Sequence, residues 1–108
     1  MPWSVETLNE VVDKELAALS VDMRARFVRI VELIEILGLP RVSLPHVRHL
    51  KGPLWEMRMK GRTGIARAIY VTTSGMRVVV VRVFVKKTQT TPRREINLAL
   101  ERAQEVLK

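Results

Sequence analysis

The chain has 108 residues, a net charge of +8 and no cysteine. That length suits one domain around one core, and the missing cysteines exclude a disulfide framework or a thiolate metal site, with no cofactor called for. No apolar run reaches the length of a membrane helix and no basic-then-apolar leader opens the sequence, so a soluble cytoplasmic protein is expected, without membrane contact.

Taken in order, the chain opens on PWSVE, a stretch suited to an extended sheet edge. Leu8, Val12, Leu16 and Leu19 then approximate a helical stripe. Ser20 is the candidate N-cap of a second helix, with Asp22 in its first turn, where the helix dipole favours an anion. Phe27, Ile30, Val31, Ile34 and Leu37 keep the helical period until Gly38 and Pro40 end it. The two helices, joined tightly at Ser20, read as an antiparallel hairpin. Residues 39–53 hold three prolines and no clear period, and read as a connection. From Leu54 the period drops to two. Trp55, Met57 and Met59 fall on one face, and Glu56, Arg58 and Lys60 on the other. GRTG makes a turn, IARAIYVT a second strand, SG another turn, and MRVVVVRVFV a third strand. Thr91 then caps a final helix with Pro92 at its first position, and Ile96, Ala99, Leu100, Ala103 and Leu107 form its apolar stripe. This order predicts a single α+β domain over residues 1–108. An N-terminal helical hairpin packs on a small antiparallel three-strand meander, with room for a short N-terminal edge strand and with a C-terminal helix.

Turn chemistry sets the register of the two hairpins. A loop over Gly61 to Gly64 makes Lys60 face Ile65, and then Arg58 lies opposite Arg67. A two-residue turn at Ser74 and Gly75 makes Thr73 face Met76, and then Arg67 lies opposite Arg82. Directly paired residues share a face, so Arg58, Arg67 and Arg82 are expected in one row. Trp55, Met57, Met59, Ala66, Ala68, Tyr70, Val79, Val81 and Val83 fall on the opposite face, toward the helices.

Charge is unevenly placed. Residues 41–94 hold thirteen Lys or Arg and one carboxylate, Glu56, whereas the first forty residues hold seven carboxylates and four cations. Such a focused field attracts a polyanion such as nucleic acid. Like charges placed side by side destabilise a sheet, so an arginine row implies an anionic ligand, unless Glu56 and helix carboxylates pair with it. Lys86 and Lys87, at the end of the third strand, extend that site. Lys51, Lys60, Arg62 and Arg93 widen it as further nucleic-acid-binding candidates beside Arg82.

The stretches LKGPLWEMRMKG, ARAIYV and VVVVRVFVKKTQTTPRREINLALERA resemble the HigB branch of the RelE-like toxins of bacterial type II toxin–antitoxin systems. The resemblance implies a RelE-like fold whose sheet face takes messenger RNA on the ribosome and cleaves it as an mRNA interferase, inhibiting translation. It also implies a small helix-turn-helix (HigA-like) antitoxin, and operator DNA as the target of the toxin–antitoxin complex. The basic strand positions of the family fall on Arg58 and Arg67, and its cluster after the last strand on Lys86 and Lys87. Several members place a tyrosine or histidine near the C-terminal end to assist proton transfer. Here the last third contains neither; Tyr70 falls on the core face, and His46 and His49 in the connection.

The chemistry expected is attack of a 2′-hydroxyl on the adjacent phosphorus. Arg58 and Arg67 hold the phosphate as planar donors matched to its oxygens. Lys86 or Lys87 positions the nucleophile, or deprotonates it with a pKa lowered by neighbouring cations. A non-catalytic nucleic-acid-binding module acting with an antitoxin as an autorepressor is the alternative. Kinase chemistry has no glycine-rich phosphate loop to support it.

Overall fold

The computed structural model describes residues 2–43, 46–86 and 90–107. Along these the chain forms β1 (Ser4–Thr7), α1 (Glu10–Ala17), α2 (Val21–Leu37), a 3-10 turn (Leu39–Arg41), β2 (Val47–Lys51), β3 (Leu54–Gly61), β4 (Gly64–Thr73), β5 (Arg77–Lys86) and α3 (Arg93–Leu107). No helix among the described residues is long and apolar enough to cross a membrane.

The sheet is larger than a three-strand meander. Five strands run in the order β1-β5-β4-β3-β2. The N-terminal PWSVE stretch supplies an edge strand, and it pairs parallel to β5, so the sheet is mixed. The other edge comes from residues read as connection: Val47, Arg48 and His49 pair antiparallel with Met57, Glu56 and Trp55. Prolines flank this strand without entering it, which is how an edge strand tolerates them.

Helices cover both faces. Val12, Met23, Phe27, Ile30 and Ile34 of α1 and α2 form one core with Met57, Met59, Ala66, Ala68, Tyr70, Val78, Val80 and Val83. Ala99 and Ala103 of α3 form a second core with Leu54, Ile69, Val71, Val79 and Val81. Full burial of each such Val, Ile or Met side chain contributes roughly 1.5–3 kcal/mol. Val79 and Val81 therefore belong under α3, not with the hairpin as their spacing suggested. The cause is a bulge between Ile69 and Tyr70, which sets two residues of β5 against one of β4 and flips the facing beyond it.

Local signals explain most helix ends. Asn9 caps α1, its side-chain oxygen accepting from the Val12 N–H at 3.2 Å. Ser20 precedes α2, but its hydroxyl donates to Asp22 Oδ1 at 2.5 Å instead of capping the helix. At α3 the capping position falls on Pro92, whose carbonyl accepts from the Glu95 N–H at 3.0 Å. The Thr91 hydroxyl points elsewhere, to Glu56 Oε2 at 2.8 Å.

Candidate nucleic-acid interface

The register of β3 and β4 follows the turn: Lys60 faces Ile65 and Arg58 faces Arg67. The register of β4 and β5 does not. Thr73 faces Arg77 because Met76 joins the turn at φ 58°, and the bulge adds a second step of slippage. Arg67 consequently faces Phe84, and Arg82 faces Ile69. A slip of two keeps Arg82 on the face of Arg67 but moves it one row along. The expected row of three arginines is replaced by three rows: Lys60, Ile65 and Lys86; Arg58, Arg67 and Phe84; Arg48, Glu56, Ile69 and Arg82.

The face is also less open than expected, because α3 lies on it, and carboxylates meet three of its arginines. Glu56, fully buried, accepts from Arg67 Nη1 at 2.6 Å, Arg48 Nε at 2.7 Å and Thr91 Oγ1 at 2.8 Å. Arg67 is itself fully buried, so its guanidinium offers no surface to a ligand. Arg82 lies between two helices. Its Nε and Nη2 donate to Glu95 at 2.7 and 3.2 Å, and its Nη1 is 2.8 Å from Glu15 Oε2. The Glu95 hydrogen bond and the Glu15 charge raise its pKa further above the usual range. Glu15 also receives Arg102 at 2.9 Å and the Val83 N–H at 3.0 Å, tying α1, β5 and α3 together.

What faces outward gathers at one end of the sheet. Arg58 is half-buried and Lys60 exposed one row further along. Lys86 ends β5 in the row of Lys60, and its Nζ donates to the Thr90 carbonyl. Strands lie about 4.8 Å apart, so the Lys60 and Lys86 backbones, two strands apart, stand about 10 Å from each other across Ile65. Phe84, half-buried in the next row, adds an aromatic ring, with the Arg82 guanidinium carbon 5.7 Å from its centroid. Arg62 is exposed in the turn after β3, and Arg93 at the start of α3. Lys51 ends β2 opposite Leu54, at the far end of the sheet from Lys60, and does not join this ledge. Lys87 lies outside the described residues.

Of the remaining acid–base candidates, His46 stands beside Arg58 and the other two sit elsewhere. Tyr70 is buried on the hairpin face, and burial pushes its hydroxyl well above its ordinary pKa. His46 accepts the Arg58 N–H through its carbonyl at 2.8 Å. His49 meets Trp55 edge to face at 5.1 Å, with Nε2 2.8 Å from the Gly52 carbonyl. Sequence reasoning missed Arg48, Thr91, Glu15, Glu95 and Phe84 as parts of the site. Arg48 had a signal only in the apolar-to-polar step from Val47 to Arg48. Pairings to Glu15 and Glu95, from distant helices, leave no local trace.

The α+β fold, a five-strand sheet with three helices, is similar to that of RelE. A chain of the archaeal RelE-RelB complex from Pyrococcus horikoshii OT3 is similar in structure, with a TM-score of 0.60 and 21% identity, over 79% of this chain and 96% of that one. Residues 14–104 match the family described as "Phage derived protein Gp49-like", and the chain belongs to that family. No curated protein matches it.

Proposed function

We propose that this protein is the toxin of a type II toxin–antitoxin pair, an endoribonuclease of the HigB type that cleaves messenger RNA on the ribosome, in the cytoplasm. The observation that carries this reading is the gathering of Arg58, Lys60 and Lys86 beside Phe84 at one end of the sheet. Family membership and the RelE-like fold support it. So does the similarity to a protein solved as a RelE–RelB complex, which favours a small antitoxin partner, taken here as helix-turn-helix (HigA-like) and as the route to operator DNA.

In this reading Arg58 grips the scissile phosphate and stabilises the charge that builds there when the 2′-hydroxyl attacks. Lys86, with Lys87 next to it in sequence, positions or deprotonates that hydroxyl. Lys60, Arg62 and Arg93 hold the flanking backbone, and Phe84 offers a ring to a base. Arg67 and Arg82 act from beneath, as charges fixed by Glu56, Glu15 and Glu95. The ribosome supplies substrate geometry, so few catalytic groups suffice.

One observation favours the non-catalytic alternative, a nucleic-acid-binding module that represses with its antitoxin. Tyr70 is buried on the hairpin face and His49 turns to the Gly52 carbonyl, which leaves lysine, and His46 whose carbonyl accepts the Arg58 N–H, as the proton carriers near the ledge. Mapping of 5′ ends on ribosome-bound mRNA separates the two readings. New ends made by the wild type and lost in Arg58→Ala support the nuclease. Tight RNA binding with no new ends sinks it and leaves the module.

A further inference from the structure

The edge strand β2 changes the company of Arg58. Its register pairs Val47 with Met57 and Arg48 with Glu56. One step further back the Arg58 N–H donates to the His46 carbonyl at 2.8 Å, so His46 stands directly opposite Arg58. Its facing follows from its neighbours. Val47 turns into the core beneath α1 and α2, while Arg48 reaches Glu56 on the arginine face. Side chains alternate along an extended chain, which carries His46 to the face of Arg48 and Arg58. The row of Arg58, Arg67 and Phe84 thus begins with a histidine, half-buried at the sheet edge. Cβ atoms of directly opposed residues lie about 4.5–5.5 Å apart. Lys86, two strands away and one row along, has its backbone about 12 Å from that of Arg58. Its Nζ is held by the Thr90 carbonyl.

We propose that His46 is the proton acceptor for the ribose 2′-hydroxyl beside the phosphate that Arg58 holds. The assignment rests on the nuclease reading and names the base within it. The 2′-hydroxyl passes its proton to a ring nitrogen of His46 as its oxygen bonds to phosphorus. The bond from phosphorus to the 5′-oxygen breaks, and that oxygen takes a proton from water, leaving a cyclic phosphate and a 5′-hydroxyl. His46 then returns its proton to solvent. Chemistry and placement both favour imidazole over lysine. An uncharged imidazole accepts a proton directly at neutral pH, whereas lysine, with an ordinary pKa of about 10.4, must first give one up. A base one strand from the residue that holds the phosphate also has the adjacent hydroxyl within a side chain's reach. Around His46 stand Arg58 opposite, Glu56 and Lys60 diagonally across on β3, and Arg48 two residues along β2. From the covering helix come the exposed cations Arg93 and Arg94, and Glu95. Glu56 is committed to Arg48, Arg67 and Thr91, and Glu95 to Arg82, so neither carboxylate competes for the proton.

Single-turnover cleavage on programmed ribosomes, with RNA binding measured beside it, tests the assignment. A general base contributes about 10²–10⁴-fold, so His46→Gln should lose rate in that range while keeping its RNA affinity. The backbone bonds of His46, its carbonyl to Arg58 and its N–H to the Ser43 carbonyl at 2.9 Å, do not depend on the side chain. The ratio of wild-type to His46→Gln rate should shrink as pH falls through about 8 to 5, where imidazole takes up a proton. Taking the ratio removes the ribosome's own response to pH. The same ratio for Lys86→Ala should stay flat. Free imidazole should restore His46→Ala by about tenfold or more, a response that misfolded protein does not give. A His46→Gln loss under about tenfold, a ratio indifferent to pH, no rescue by imidazole, or affinity falling as far as rate would each overturn the assignment. If the wild type itself makes no new ends, the nuclease reading falls and takes this base with it. New ends that survive His46→Gln remove the base alone.

Discussion

Glu56 and Arg67 meet at 2.6 Å with neither side chain exposed to solvent, on adjacent strands of a face otherwise rich in cations. Their partnership answers how a sheet can hold Arg58 directly opposite Arg67. One member of the pair turns inward onto a carboxylate, and the repulsion expected of opposed like charges is relieved. Glu56→Gln keeps the shape and removes that charge, leaving Arg67 buried without its counter-ion. Breaking one partner of a buried pair costs about 3–5 kcal/mol, so the urea midpoint should fall steeply at an unchanged slope. The double change Glu56→Leu with Arg67→Met should cost far less than the sum of the single changes, because coupled neighbours are not additive. A loss from Glu56→Gln under about 1 kcal/mol, the scale of a surface pair, would show that the bond does not hold the sheet.

A second prediction concerns the place where α2 starts against the end of β3. A Cβ on Gly61 would lie 2.8 Å from Met23 Cγ and 2.9 Å from Asp22 Oδ2. Met23 is fixed in the core, so Gly61→Ala must push the first turn of α2 away from the sheet. Overpacking of this kind typically costs 1–3 kcal/mol. Gly75→Ala serves as the contrast: nothing stands within 4 Å of its Cβ, and only its φ of +83° opposes the change. Chemical denaturation of both variants checks the ranking. If Gly61→Ala is the milder of the two, close packing is not what reserves that position for glycine.

Particular residues show how far the sequence could be read. Alternation over Trp55–Lys60 and the GRTG turn were enough to pair Arg58 with Arg67, because a short loop between regular strands leaves one register. The SG turn misled: Met76 accepts a left-handed backbone that glycine or asparagine usually fills, and the strands shifted. The bulge at Ile69 and Tyr70 sits inside an unbroken apolar run, where valines on either face look alike. Arg82 therefore landed one row from its expected neighbour, and Val79 and Val81 on the wrong face. Pairing with Glu56 and with helix carboxylates, the other outcome open to the row, holds for Arg67 and Arg82. The choice depended on α3 lying over the arginine face, and its apolar stripe marks which side is buried but not which sheet face receives it.

The acid limb of stability should carry a signature of Asp22. Its carboxylate accepts from the Ser20 hydroxyl, the largest cause of its lowered pKa, and then from the Arg62 N–H at 2.7 Å. A carboxyl whose pKa is depressed on folding stabilises the fold above its ordinary value, 3.8, and that contribution is lost as pH falls through the lower folded-state value. Asp22→Asn should therefore be less stable than the wild type at neutral pH, by a margin that stays constant through mildly acid pH. Below the ordinary value the two unfolding curves should converge as the wild-type carboxyl takes up its proton. Convergence already near pH 6, or none in strong acid, would mean that the Ser20 and Arg62 bonds do not set its ionisation.

The sharpest division between cleavage and mere binding falls on Arg58, which the proposed mechanism sets against the scissile phosphate. Its side chain is half-buried and stands one row from Lys60, so trimming it should spare the fold. If its guanidinium stabilises the transition state, Arg58→Ala should lose 10²–10³ in cleavage rate, about 3–4 kcal/mol of barrier. The same change should cost RNA affinity much less and soften the salt dependence by about one unit of slope. Arg58→Lys keeps the charge without the planar fork, and should restore binding better than cleavage. Lys60→Ala, placed only against the flanking backbone, should weaken binding and cleavage by the same modest factor. Single-turnover cleavage on programmed ribosomes, set beside equilibrium binding across a salt series, measures every term. Equal losses in binding and cleavage for Arg58→Ala would reduce it to one phosphate contact among several. Normal cleavage by Arg58→Ala, with Lys86→Ala inactive, would move the phosphate site along the ledge to the end of β5.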